Sequence, residues 1–249
     1  MIKPRVGISS CLMGEKVRYD GGHKLMQTVL AKVGGWVEWV PFCPEVAMGL
    51  GVPREPMHAR HGVHGLELVG NQSGSVFSDF LSWNTQLNRV FDGYVFKSKS
   101  PSCGLDIPIQ PAGSRSFGAF SSRIAGRETA VCEERDLDDS EALVSFFESV
   151  FLIAESRVWE ARGRAVQDFA ATVSLGLRIR GGEPHTIRDY GALRNFLAKP
   201  VQSDAVLTLK EALNLDFATD SLCEMRRYVH QLKMGPEFAR FSAPVPFEF

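Results

Sequence analysis

The sequence predicts an α/β fold in which a parallel sheet is followed by a helical C-terminal appendage. Short apolar, β-like runs alternate with helix-like segments through the first hundred residues. Such β-α-β-α-β alternation argues for a parallel sheet with crossover connections. From Glu141 onward the periodicity becomes helical instead. Three of the apolar runs each lead into a cysteine: VGISSC ends at Cys11, VEWVPFC at Cys43 and YVFKSKSPSC at Cys103.

Residues 4–9 read as a first buried strand. A helix-like segment over 23–34, KLMQTVLAKV at its centre, is ended by Gly34-Gly35. Residues 36–42 form the second strand. PEVAMGLGVPREP is loop and short helix, punctuated by glycine and proline. A short strand is expected at 65–69. The spacing of Val76, Phe77, Phe80, Leu81, Leu87, Val90 and Phe91 predicts a helix over 75–91. The third strand spans 93–98, Gly113 to Gly118 is a loop, and FGAFSSRI begins another helix. The acidic stretch EERDLDDSE (133–141) reads as a linker with Asp139 or Ser140 capping the helix that follows. Helical segments then continue through LTLKEALNL and LCEMRRYVHQL, and the apolar ending FSAPVPFEF is expected to lie against the body. The chain divides into an α/β domain over residues 1–135 and a helical domain over 141–249.

The 249 residues are 44% hydrophobic and 23% charged, the composition of a soluble globular protein. No apolar run reaches the roughly 18 residues of a membrane span, and MIKPRVGISS is too polar for a signal peptide. A cytoplasmic location and no membrane partner are expected. Five cysteines, an odd number, argue against a disulfide framework. The net charge of −1 excludes global attraction to nucleic acid. Between Glu155 and Lys199 there are eight basic residues against five acidic ones, an excess that suits a solvated helix face better than an RNA footprint.

Carboxyl ends of parallel strands share one rim, where ligands bind. Cys11, Cys43 and Cys103 can therefore meet there as three thiolates. Singly, each would pass as a small core residue. Jointly, beside Ser, Pro and Gly, three thiolates without a fourth fit an iron–sulfur cluster with one iron left open for substrate. Glu45 lies two residues after Cys43. It is either a general base or nucleophile near the metal, or a carboxylate that complements a helix dipole after Pro44.

Four blocks, SSCLMGEKVRYDGGHK, CPEVAMGLGVPREP, FKSKSPSCG and FGAFSSRI, together resemble the thiouracil desulfidase family, whose longer members act on thiouridine. The resemblance covers roughly residues 5–130. It implies a Rossmann-like α/β domain and a 4Fe-4S cluster on Cys11, Cys43 and Cys103. It implies non-redox removal of sulfur from a thiolated pyrimidine, with Glu45 catalytic. The family has a functional serine in the third block, either Ser100 or Ser102. Ser10 and Arg54 are candidate substrate contacts. Arg54 would clamp a phosphate or a uracil carbonyl, or else pair with Glu55 or Asp20. Asp20 contacts substrate or caps the next helix.

His58, His61 and His64 have the spacing of a zinc tripod, but Gly62 and Gly65 favour a solvated loop. Cys132 and Cys223 fall outside the four blocks as ordinary residues. Longer family members carry a helical domain with a histidine- and lysine-rich helix. DFAATVSLGLRI, in its place, has neither His nor Lys. A free base, nucleoside or nucleotide is thus favoured over tRNA, with no obligate protein partner. A second class of function, a non-enzymatic metal- or redox-sensing module, would use the same three thiolates. The helical region is expected to pack on the α/β domain and cover the active site through Phe146, Phe147, Phe151 and Trp159.

Overall fold

The computed structural model describes residues 3–63, 65–111, 113–173, 177–178 and 180–201. His64, Cys223 and the segments predicted beyond residue 201 lie outside them. The strands are β1 (Arg5–Ser9), β2 (Glu38–Phe42), β3 (Met57–Gly62), β4 (Gly65–Gly70), β5 (Val76–Phe77), β6 (Gly93–Phe96), β7 (Ile107–Gln110), β8 (Ser114–Ser116) and β9 (Ala130–Glu133). The helices are α1 (Gln27–Val33), α2 (Pro44–Ala47), α3 (Asn84–Leu87), α4 (Ser121–Ile124), α5 (Ser140–Ala161), α6 (Val166–Thr172) and α7 (Tyr190–Leu197).

Strands β2, β1, β6 and β9 lie side by side in that order, every pairing parallel. This is the expected α/β sheet, with β9 as an additional strand. A second sheet, ordered β5-β4-β3-β7-β8, was not expected. It is assembled from the chain between β2 and β6 and between β6 and β9. Only its β3–β7 pairing is parallel.

The expected helix over 75–91 does not form. Glu55 accepts hydrogen bonds from the backbone N–H groups of Gln72 (2.6 Å) and Ser73 (3.0 Å) and fixes a tight turn there. Gly74, at φ +66°, completes the turn. The chain is thereby sent back along β4, with Val69 beside Val76 and Leu68 beside Phe77. A 3₁₀ turn, Leu81–Trp83, and the single turn of α3 follow. Phe80, Trp83, Leu87 and Phe91 are buried, while Leu81 is 70% exposed.

Both faces of the parallel sheet are covered. β6 is buried throughout. Its Val95 enters one core with Val6, Ile8, α1 and α5, and its Tyr94 and Phe96 enter the other, against the second sheet. Gly7 is what admits Tyr94, because a Cβ on Gly7 would lie 2.2 Å from the Tyr94 ring. Burial on both faces explains why β1 and β6 read as continuous apolar runs.

Asp139 caps α5, accepting from Ala142 N at 2.8 Å. Phe146, Phe147, Phe151 and Trp159 are buried in the same core as β1 and β6, so the helical region packs on the sheet as expected. Among the described residues, none after Glu134 lines the cavity of the candidate site described below, so Phe146, Phe147, Phe151 and Trp159 serve the core and do not cover that site. None of the described helices is long and apolar enough to cross a membrane.

Among the described residues after Glu155, four arginines form ion pairs: Arg157, Arg178, Arg180 and Arg194. Arg157 pairs with Asp92, and Arg194 with Glu128 and Glu160. Arg180 is an interior residue rather than a surface cation. Its side chain is 0% exposed and lies 2.8 Å from Glu148, itself 1% exposed. Removing one partner of a buried ion pair strands the other charge. We expect Arg180→Ala to cost about 3–5 kcal/mol, read as a lowered urea midpoint. A shift no larger than that of Arg178→Ala, whose pair with Glu183 is exposed, would contradict this account.

Candidate active site

Three adjacent parallel strands deliver the three cysteines to one rim. Cys11 follows β1 by two residues, within the 3₁₀ turn Ser10–Met13. Cys43 follows β2 directly, as the residue before Pro44 at the start of α2. Cys103 lies in the loop after β6. All three are unpaired thiols, and all three line one cavity of about 630 Å³. Cys132 sits on β9 and packs into the core on the α5 side, away from this cavity.

The thiols are held in their neutral form by their surroundings. Burial pushes Cys11 up to about 12, and Cys43 adds to the rise. Burial also raises Cys103, with further contributions from Cys43, Glu45 and Cys11. Burial raises Cys43 too, against partial relief from the Val46 N–H. Each thiolate therefore disfavours the next, and the set ionises together only if a cation compensates it. A coordinated metal does so, since a coordinating thiol is deprotonated outright. Among the described residues, no three His, Cys, Asp or Glu are grouped closely enough for a single ion. Three unpaired thiols lining one roomy cavity are a donor set that fits an iron–sulfur cluster.

On the same cavity, Glu45 is fixed at both oxygens. Arg54 Nε donates to Oε2 at 2.9 Å and Arg54 Nη2 donates to the same oxygen. Ser102 Oγ donates to Oε1 at 2.7 Å and Ser100 Oγ at 3.3 Å. The serine hydroxyls are 3.0 Å apart. Ser100 Oγ also accepts from Cys103 N at 3.2 Å, whereas Ser102 is the closer partner of Glu45. Arg54 gives two more hydrogen bonds to backbone carbonyls, Nη2 to Val17 at 3.0 Å and Nη1 to Gly51 at 3.2 Å. Its fork is thus committed to Glu45 rather than to Glu55 or Asp20. Ser10 is buried and lines the cavity.

Asp20 does not line the cavity and does not cap α1. It accepts from Gly22 N at 2.9 Å and stabilises its own turn. His58 Nδ1 lies 2.7 Å from Asn71 Oδ1, and His61 sits three residues further along the same strand, on the other face.

Sequence reasoning missed Ser9, Lys97, Ser98 and Glu134. Ser9 Oγ accepts from Lys97 N at 3.0 Å. Lys97 Nζ pairs with Glu134, and Ser98 donates to Glu134 from both N (2.6 Å) and Oγ (2.8 Å). Burial opposes ionisation of Glu134, but hydrogen bonds from Lys97 and Ser98 outweigh it and hold the carboxyl below its usual range. Lys97 stands in the quoted FKSKSPSCG block. Glu134 carried no signal beyond an acidic stretch that read as linker.

The FGAFSSRI block acts from behind. The N–H groups of Ala119, Phe120 and Ser121 donate to the carbonyls of Pro101 and Ser102, and Gly118 N donates to Gly104 at 2.7 Å. The helix expected from this block is α4, a single turn.

Residues 6–136, more than half of the chain, match the sequence profile of the 2-thiouracil desulfurase family. The chain belongs to this family. A relative from Bacillus subtilis (strain 168), the uncharacterized protein YbbK, is 28% identical over 110 residues, covering 39% of this chain and 71% of that protein. The solved structure of the [4Fe-4S]-dependent thiouracil desulfidase TudS is 29% identical, with a TM-score of 0.44, over 55% of this chain and 94% of that one. The family segment contains both walls of the cavity: the three cysteines, Glu45, Arg54, the two serines and Glu134.

Gly118 is required by this packing. A Cβ there would lie 2.6 Å from Ser102 O, a backbone atom that cannot swing away. We expect Gly118→Ala to destabilise the protein by about 1–3 kcal/mol, measured by thermal melting. An unchanged melting temperature would show that the loop gives way freely.

Proposed function

We propose that this member of the 2-thiouracil desulfurase family is a desulfidase that converts a thiolated pyrimidine and water to the oxo-pyrimidine and sulfide, without net redox change. The proposed cofactor is a 4Fe-4S cluster held by Cys11, Cys43 and Cys103. When bound, such a cluster supplies a thiophilic Lewis acid at an iron without a protein ligand. The observation that carries the reading is Glu45. A carboxylate clamped by Arg54 and Ser102 stands on the same cavity as three unpaired thiols.

Exchange of C=S for C=O needs a group that takes the proton of the attacking water. Glu45 is suited to that role. Arg54 fixes Oε2 and so aims the carboxylate, while Ser102 at Oε1, linked to Ser100, gives the proton a route away. The structure thus favours Ser102 as the direct partner and Ser100 as the second link. Ser10 is proposed as a substrate contact, and Arg54 as the holder of Glu45. Val17, Phe42 and Met57 give the cavity apolar walls, which suit a flat heterocycle and limit water. A cavity of this volume takes a base or nucleoside. With most of the described arginines after Glu155 already paired, such small substrates are favoured over tRNA. A sensing module would have no use for the Glu45 network.

Changing Cys11, Cys43 or Cys103 to Ala should lower iron content and abolish sulfide release, while Cys132→Ala should leave iron bound. Iron analysis of anaerobically purified protein decides this, and full iron retention in Cys43→Ala would sink the assignment. Glu45→Gln should retain iron yet lose about 10²–10⁴ in rate on a thiouracil. Unchanged turnover would leave Glu45 with the helix-dipole role alone.

A further inference from the structure

The two glutamates at the end of β9 hold the loop that carries Ser100, Ser102 and Cys103. In the parallel register Phe96 lies beside Glu133, so the residues that follow on each chain are neighbours. Glu134 accepts from Ser98 N, Ser98 Oγ and Lys97 Nζ at the loop's entry. Glu133 accepts from Leu105 N at 2.8 Å at its exit. Glu133 is itself steadied by Arg135, 2.7 Å away. We propose that Glu133 and Glu134 form a positioning clamp that sets the register of residues 97–105 and thereby presents Ser102 to Glu45. The inference rests on the desulfidase reading above.

Three features support a clamp over a chance ion pair. First, Lys97 lines the cavity but has no donor left for a ligand. Its ammonium group gives its hydrogen bonds to Glu134, to Ser98 O (2.9 Å) and to Ser98 Oγ (3.0 Å), and an ammonium has three donors. Second, Lys99, inside the loop, has φ +59° although it is not glycine. Such a conformation costs about 1–3 kcal/mol and persists only where the surroundings over-determine it. Third, the contact that matters for chemistry, Ser102 Oγ to Glu45 Oε1 at 2.7 Å, runs from this loop to the opposite wall. A small shift of the loop would break it.

The test uses the full chain, purified anaerobically with its iron. Glu134→Ala removes the entry anchor. Glu134→Gln keeps its shape and one acceptor, and serves if the alanine variant folds poorly. In Glu134→Ala we expect amide hydrogen exchange at Ser98 to rise by about 10-fold or more, with α5 amides unchanged. On a thiouracil, kcat should fall by about 10²-fold with KM within about twofold, the mark of misplaced catalytic groups rather than lost binding. Glu134→Gln should recover part of kcat. Unchanged exchange at Ser98, an equal rise along α5, or a raised KM at constant kcat would each overturn the clamp. If the wild-type chain releases no sulfide from any thiolated pyrimidine, the desulfidase reading fails separately, and the exchange data still decide the clamp.

Discussion

The parallel pairing of β1 between β2 and β6 is the constraint on which the site depends. Parallel strands leave a sheet on the same side, so three segments far apart in sequence are released at one rim. Ser9 lies beside Phe42 and Ile8 beside Val95, which fixes where each following turn begins. An antiparallel β1 would have sent Cys11 to the opposite edge. The pairing is itself stabilised by burial on both faces, with Gly7 admitting Tyr94 on one side and α5 closing the other.

That burial creates an electrostatic problem at the rim, and the fold answers it in pairs. The carboxylates Glu45 and Glu134 share a partly dry cavity with the three thiols, where like charges would repel strongly. Arg54 stands against Glu45 on the β2 side and Lys97 against Glu134 on the β6 side. Each carboxylate thus has one cation. The thiols have none assigned to them and stay neutral through burial. With Arg54 and Lys97 engaged by these carboxylates, ionising the three buried thiols together calls for a bound cationic group.

What was legible in the sequence follows from local pattern. β1 and β6 are continuous apolar runs because both their faces are buried, β2 is the half-exposed edge strand beside them, and the cysteines follow the ends of all three. Asp139 was legible as a cap because capping is a three-residue event. The second sheet was not legible. Of its strands only β4 answers to an expected one, at 65–69, and β5 exists only because Glu55 holds a turn that begins seventeen residues further on. The helical spacing of 75–91 was real, but the turn took Val76 and Phe77 into a ladder. Glu45 was visible through its distance from Cys43. Glu134 was not, because its partner Ser98 is 36 residues away and only the β6–β9 register joins them.

The order of insertions explains how the two halves of the fold divide their work. The chain between β2 and β6 carries Glu45 and Arg54, and then builds most of the second sheet. The chain between β6 and β9 carries Ser100, Ser102, Cys103 and the FGAF turn that braces them. Both insertions leave from the same rim, so they become the two walls of one cavity. The described helices after β9 take the other route and lie across the back of the sheet, where α5 meets β6 and β9. Their apolar residues stabilise the strands without entering the cavity, and their arginines are used in ion pairs with the body. The turn at Glu133 and Glu134 joins these parts in sequence as well as in space: there the last strand of the sheet ends, α5 is about to begin, and the loop bearing Ser102 is held.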